Sequence, residues 1–281
     1  MNDLINKVIV VTGGALGIGY QIADKYLENR VQTVFVLDIN VEEGNKAVKT
    51  LNAKYGDGKS IFIKCDVTKD LEEVSQKIFK ICNRIDVLVN NAGTVNESNP
   101  RKLLEINMIS VVEWSVKFYE HMRKDKGGNG GTIINIGSIY SFIVDPHTPF
   151  YKASKYAVMG FTRSFGHEEN YQKCGVRMIV LCPGFTTTGL INELTCLDEE
   201  KTQDFLAFMG KQVFQDSEVV GEAAVTIFKK ANSGSAWKII GGKLDEIPVQ
   251  SYQFLYLQTT NPNTVGLSVC KYYNILANLK K

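Results

Sequence analysis

Tyr151 and Lys155 stand four residues apart in the run Tyr-Lys-Ala-Ser-Lys. On a helix that spacing puts both side chains on one face. A lysine cation close to a phenol favours the phenolate, and so lowers the tyrosine pKa from its ordinary value of about 10. Such a tyrosine can accept a proton near neutral pH. Ser138 comes before it and can hold a substrate oxygen by a hydrogen bond, and the amide of Asn107 can anchor a water behind Lys155. These groups handle protons and position an oxygen. Electron transfer has to come from a cofactor.

A place for that cofactor is visible near the start of the chain. The run Thr-Gly-Gly-Ala-Leu-Gly-Ile-Gly covers residues 12–19 and follows an apolar strand. A glycine turn between a strand and a helix lets backbone approach a pyrophosphate, and the helix start offers free N–H groups and a positive dipole end. Gly13, Leu16, Gly17, Ile18 and Gly19 are the expected contacts. Asp38, followed by Ile39, stands about twenty residues beyond the glycines, where a carboxylate accepts bonds from the adenosine ribose hydroxyls. It repels a 2′-phosphate, and no Lys or Arg lies in the glycine turn or directly after Asp38. The expected cofactor is NAD rather than NADP.

Short Val/Ile/Leu runs alternate with amphipathic stretches along the chain. Strands are expected at Val8–Val11, Val34–Leu37, Ile61–Cys65, Val87–Asn90, Thr132–Ile136, Val176–Leu181 and Trp237–Ile240. Helices are expected over about 17–28, 41–55, 71–83, 100–123 and 151–170. This alternation implies a doubly wound parallel sheet with helices on both faces, an α/β fold in one domain. Gly127 to Gly131 reads as a flexible turn into the fifth strand.

These motifs, in this order, resemble the short-chain dehydrogenase/reductase family over about residues 7–247. The glycine turn, Asp66-Val67, Asn90-Asn91-Ala92-Gly93, Pro183-Gly184 and the set Asn107, Ser138, Tyr151 and Lys155 carry the resemblance. It implies an Asn-Ser-Tyr-Lys catalytic site. It also implies further cofactor contacts from Asp66, Val67, Asn91, Gly93, Tyr151, Lys155, Pro183, Phe185, Thr186 and Thr188. By the same resemblance the substrate is a secondary or apolar alcohol or carbonyl compound held by Ser138, Tyr151 and Thr148, and the assembly is a homodimer or homotetramer. Two branches look similar. Residues 65–67, 160–164 and 182–185 resemble the NAD-dependent hydroxyprostaglandin dehydrogenase branch, and Trp237-Lys238 with Gly242, Leu244 and Ile247 resembles the insect-type alcohol dehydrogenase branch. Thr148 replaces a substrate-contacting glutamine of the former, which shortens the hydrogen-bond reach and counts against a prostaglandin.

Residues 189–215 include Leu190, Ile191, Leu194, Leu197, Phe205, Leu206, Phe208, Met209, Val213 and Phe214. They are expected to form a mobile lid over a greasy substrate, or else to pack on the sheet or a partner subunit. The dinucleotide-binding domain is placed at 1–250, and residues 251–281 form a C-terminal extension. The net charge is +2 and no like-charged block stands out before Lys280-Lys281, which argues against nucleic acid or an anionic membrane as partner. No metal is expected: the 6 cysteines are scattered, and His121, His147 and His167 lack a ligand pattern. No signal-like segment or membrane-length apolar run is present, so the expected location is cytoplasmic. Asn96-Glu97-Ser98 reads as a chance glycosylation sequon. The competing reading of the whole chain is a catalytically silent NAD- or lipid-binding protein on the same fold.

Overall fold

Successive side chains of a strand point to opposite faces. In β1 (Val8–Thr12) both sets are apolar and buried, so the strand has to be covered on both sides. A computed structural model, which describes residues 3–248, supplies that cover. Ile9 and Val11 join Ile22 and Tyr26 of α1 (Gly17–Glu28) and Val220, Ala224 and Phe228 of α9 (Ser217–Lys230). Val8 and Val10 join Val74 and Ile78 of α3 (Leu71–Ile81) and Trp114 and Phe118 of α5 (Ser110–Met122).

The other strands are β2 (Thr33–Asp38), β3 (Ser60–Lys64), β4 (Val87–Asn90), β5 (Gly131–Ile136), β6 (Val176–Pro183), β9 (Ala236–Ile240) and β10 (Lys243–Ile247). They form an 8-stranded sheet in the order β10-β9-β6-β5-β4-β1-β2-β3. Val10 of β1 pairs with Phe35 of β2 on one side and Leu88 of β4 on the other, both parallel. The chain winds outward through β2 and β3, then restarts at β4 and winds the other way. The crevice beyond the ends of β1 and β4 is the switch point where open α/β sheets bind ligands. Only two residues link β9 to β10, which suits an antiparallel hairpin and not a parallel crossover.

Helices α2 (Val41–Tyr55) and α4 (Pro100–Leu104) follow β2 and β4, and the expected strands and the first three helices agree with the sequence to within two residues. Three differences have physical causes. The helix expected over 100–123 is interrupted by a wider π turn at Glu105–Ile109, a bulge often found at functional sites. The helix expected over 151–170 is two: α6 (Pro149–Phe165) and α7 (Glu168–Cys174). Between them a Cβ on Gly166 would meet Gly234 N at 2.8 Å, so the backbones approach too closely for a straight continuation. Residues 217–230, with no element expected, form α9. Gly221 and the β-branched Val219, Val220, Val225 and Thr226 weaken its intrinsic helix preference, and packing against α1 overrides it.

The segment expected as a lid folds as a tight 3₁₀ turn (Gly189–Glu193) and α8 (Glu199–Met209). Its ends are tied by a parallel pair, β7 (Thr186–Thr187) with β8 (Gln215–Asp216). The proposed extension at 251–281 lies outside the described residues. Among the described residues no helix is long and apolar enough to cross a membrane.

Candidate active site

Beyond the ends of β1, β4 and β5 lies a cavity of about 640 Å³. Its floor begins at the glycine turn. Gly13 and Gly17 have φ of +60° and +53°, conformations that favour glycine. A Cβ on Gly13 would come within 2.8 Å of Ala92 Cα, so the turn packs directly on the loop after β4. That contact is fastened by Asn91, whose Nδ2 donates to Thr12 O and Gly13 O at 3.1 and 2.8 Å. Leu16 stands at the N-cap of α1 and provides no side-chain cap, so the first-turn N–H groups are left to the cavity that Gly17 and Ile18 line. Asp38 Oδ2 accepts from Ala15 N at 3.1 Å, and Oδ1 accepts from Asn40 N at 3.0 Å. The carboxylate is thereby held beside the glycine turn.

Gly13, Leu16, Gly17, Ile18, Asp38 and Ile39 all line this end, with Asp66, Val67, Asn91 and Gly93 beside them. Pro183, Phe185, Thr186 and Thr188 close the opposite wall. Gly19 does not line the cavity. Its place is packing: a Cβ there would sit 2.1 Å from Gly13 O.

Ser138, Tyr151, Lys155 and Thr148 meet at the inner end of the same cavity. Ser138 caps the 3₁₀ turn Ile139–Ser141. Its Oγ accepts from Tyr140 N at 3.1 Å, while Ser141 Oγ accepts from Ser138 N at 3.1 Å. The Ser138 and Tyr151 side chains line the same stretch of the cavity wall. Lys155 projects from α6 one turn after Tyr151, and its Nζ donates to Ile136 O at 2.9 Å and lies 5.6 Å from the Tyr151 ring centroid.

Asn107 is fully buried in the π turn and does not line the cavity. Its Oδ1 accepts from Thr94 N at 2.9 Å, and its Nδ2 donates to Thr94 O at 2.8 Å and Ser154 Oγ at 3.3 Å. A Cβ on Gly93 would lie 3.3 Å from Asn107 Oδ1 and 3.9 Å from Lys155 Nζ. Glycine therefore keeps open the space between these two groups.

One electrostatic expectation is reversed. Burial dominates both members of the Tyr151/Lys155 pair, because removing either from water disfavours its charged form. The Tyr151 hydroxyl is pushed up to about 12, with the neighbouring Ser138 hydroxyl working against the shift. Lys155 is pulled down to about 8 by the same burial. The cation expected to acidify the tyrosine is itself destabilised. Thr148 is also differently engaged: its Oγ1 accepts from Lys152 Nζ at 3.0 Å, and Lys152 pairs with Asp145 at 2.6 Å.

Side chains without a sequence signal complete the walls. Tyr140 is buried and stands edge-on to Tyr151 and Phe185, with ring centroids 6.2 Å apart in each case. Val95 and Ile106 line the cavity from the β4 side, and Lys102 donates to Thr68 Oγ1 at 3.3 Å near Asp66. Of the apolar residues expected in the lid, Leu190, Ile191, Leu194, Phe205, Met209 and Phe214 line the cavity. Phe208 stacks with Phe205, while Leu197, Leu206 and Val213 are exposed. The histidines serve packing and turns: His121 stacks on Phe79, His147 on Phe205, and His167 Nδ1 accepts from Glu169 N.

A family model described as short chain dehydrogenase matches residues 7–196. The chain belongs to the short-chain dehydrogenases. It is 35% identical over 245 residues to a 15-hydroxyprostaglandin dehydrogenase [NAD(+)] of Rattus norvegicus, which covers 84% of this chain and 92% of that relative. It is 30% identical over 258 residues to alcohol dehydrogenase 1 of Ceratitis cosyra, covering 89% of this dehydrogenase and 98% of the fly protein. The crystal structure of levodione reductase superposes with a TM-score of 0.73, covering 85% of this chain and 97% of the other. At 21% identity that match speaks for the fold alone.

Proposed function

We propose that this short-chain dehydrogenase oxidises an uncharged, apolar secondary alcohol, with Tyr151 taking the hydroxyl proton. It is an NAD-dependent oxidoreductase. The glycine turn and the uncapped start of α1 suit the pyrophosphate, Asp38 the adenosine ribose, and Lys155 the nicotinamide ribose. When bound, NAD supplies the hydride acceptor. Ser138 and Tyr151 hold the alcohol oxygen, and the proton passes to Tyr151 Oη. Lys155 stands one turn after Tyr151 on α6, 5.6 Å from its ring centroid. The opening beside Gly93 leaves room for a water between Asn107 and Lys155.

The observation that carries this reading is the meeting of two hydroxyls, Ser138 and Tyr151, at the boundary between polar and aromatic surface in one cavity. The charged lining residues Asp38, Asp66, Lys102 and Lys155 belong to the dinucleotide half. Among the described residues the far half is lined by Tyr140, Ile191, Leu194, Phe205, Met209 and Phe214, with no charge. A carboxylate buried there would find no cation, which is costly. Assembly as a homodimer or homotetramer belongs to the same reading; Ile109 in the π turn, Val116 of α5 and Tyr156 of α6 are exposed.

The test is NADH formation with a panel of secondary alcohols, using wild type and Tyr151→Phe. Wild type should turn over the longer neutral alcohols. Tyr151→Phe should bind NADH normally and lose about two to four orders of magnitude in turnover, the loss typical of a missing general base. No turnover by wild type across the panel would favour a silent binding protein instead.

A further inference from the structure

Glu97 is 1% exposed, and none of the ion pairs among the described residues includes it. A carboxylate so placed needs donors, since burying an unpaired charge is expensive. Its donors are two backbone groups. Glu97 Oε1 accepts from Tyr151 N at 2.6 Å, and Oε2 accepts from Phe150 N at 3.1 Å. These are the second and third residues of α6, the helix that carries Tyr151.

The local sequence explains why the donors are free. Pro149 opens the helix and has no N–H. Thr148, at the N-cap, makes no capping bond because its hydroxyl is engaged by Lys152. The N–H groups of Phe150 and Tyr151 would otherwise be orphaned at a buried helix start. A carboxylate there also meets the positive end of the helix dipole. Burial pushes the Glu97 carboxyl above the ordinary glutamate range, while the Tyr151 and Phe150 bonds work against it.

The same stretch reaches the aromatic wall. Glu97 N donates to Thr195 O at 3.2 Å, and Asn96 Oδ1 accepts from Thr195 Oγ1 at 2.8 Å. Thr195 joins the 3₁₀ turn at 189–193 to α8. Asn96 Oδ1 also accepts from Ser98 N, so the apparent sequon is a turn that presents Glu97.

We infer that Glu97 is a positioning residue for Tyr151, its carboxylate anchoring the start of α6 and its backbone tying that anchor to the wall over the substrate. This rests on the reading of Tyr151 as proton acceptor. Acting through the helix end, Glu97 sets where the tyrosine hydroxyl stands against Ser138, and leaves the dinucleotide half untouched.

Glu97→Gln is the informative variant. It keeps the shape and one acceptor, but turns an NH₂ toward the second donor. Two readings decide the matter. Amide hydrogen exchange, measured without substrate, should speed up about tenfold at Phe150 and Tyr151 while amides beyond Lys155 stay protected. With a secondary alcohol, kcat should fall about tenfold while NADH affinity stays within about twofold, because misplacing a reacting group costs rate and not cofactor binding. Glu97→Asp, which keeps the charge, should fall between wild type and Glu97→Gln on both readings. Unchanged exchange, unchanged kcat, or NADH affinity falling in step with kcat would overturn the inference. If wild type turns over no alcohol, Tyr151's assigned role falls with it, and the exchange reading still decides the anchor.

Discussion

The two halves of the cavity are built from different materials. The dinucleotide half is mostly backbone: the glycine turn, the start of α1, and the Asn91 loop, all fixed at the ends of β1 and β4. The substrate half is mostly side chain, with Tyr140, Phe205 and Phe214 arriving from three separate segments. Backbone geometry is set by the sheet and tolerates few residue types, so it leaves a motif. An aromatic wall needs only bulk and shape, which many side chains supply. This contrast predicts that changes in the substrate half alter which alcohol is used, and changes in the dinucleotide half alter which cofactor is used.

The larger of the two expected effects lies in the substrate half. Phe214 lines the cavity and is only partly buried, so its removal should spare the fold. Burying a side chain of this size is worth ~2 kcal/mol, so Phe214→Ala should lower kcat/KM for long secondary alcohols about thirtyfold. Two- and three-carbon alcohols and NADH should be barely affected. Equal losses for short and long alcohols would place Phe214 in general packing and blur the division between the halves.

The smaller effect lies at Asp38. Repulsion between its carboxylate and a 2′-phosphate easily reaches ~1.4 kcal/mol, so NAD should exceed NADP at least about tenfold in kcat/KM. Asp38→Asn should narrow that ratio without changing the preference for long alcohols. The side chain also braces Ala15 N. A variant that lost both cofactors equally would show bracing to be its main work.

The same contrast explains what could be read from the sequence. Strands buried on both faces announce themselves as near-continuous Val/Ile/Leu runs, and β1, β4 and β6 fall where such runs lie. The spacing of Tyr151 and Lys155 signals a shared helix face, and Gly13 and Gly17 occupy conformations that favour glycine. Helix α9 was not legible, because its stability comes from α1, a partner roughly two hundred residues earlier that no local pattern reveals. Nor was the π turn that aims the Asn107 amide at Thr94, since one wider turn spans too few residues to register in a periodic pattern. In the sequence Glu97 stands out only as the middle of a chance glycosylation sequon. Only the fold brings its carboxylate to a helix start 53 residues away. The direction of the Tyr151 shift also depended on burial, which spacing does not report.

The most direct test of the account is kcat/KM for alcohol oxidation against pH, for wild type and Lys155→Met, with NADH affinity measured alongside. Oxidation needs a deprotonated acceptor, so activity should rise with pH. Lys155 Nζ lies 5.6 Å from the Tyr151 ring centroid. A protonated Lys155 beside the ring favours the phenolate, so wild type should reach its midpoint at lower pH than Lys155→Met. Without the lysine, Tyr151 keeps the burden of burial alone, and the rise should move toward about 12. Lys155→Met should therefore be weakest relative to wild type at pH below its own midpoint and recover as pH increases. Superimposable profiles for the two proteins, or a wild-type profile flat across this range, would contradict Tyr151 as the proton acceptor paired with Lys155.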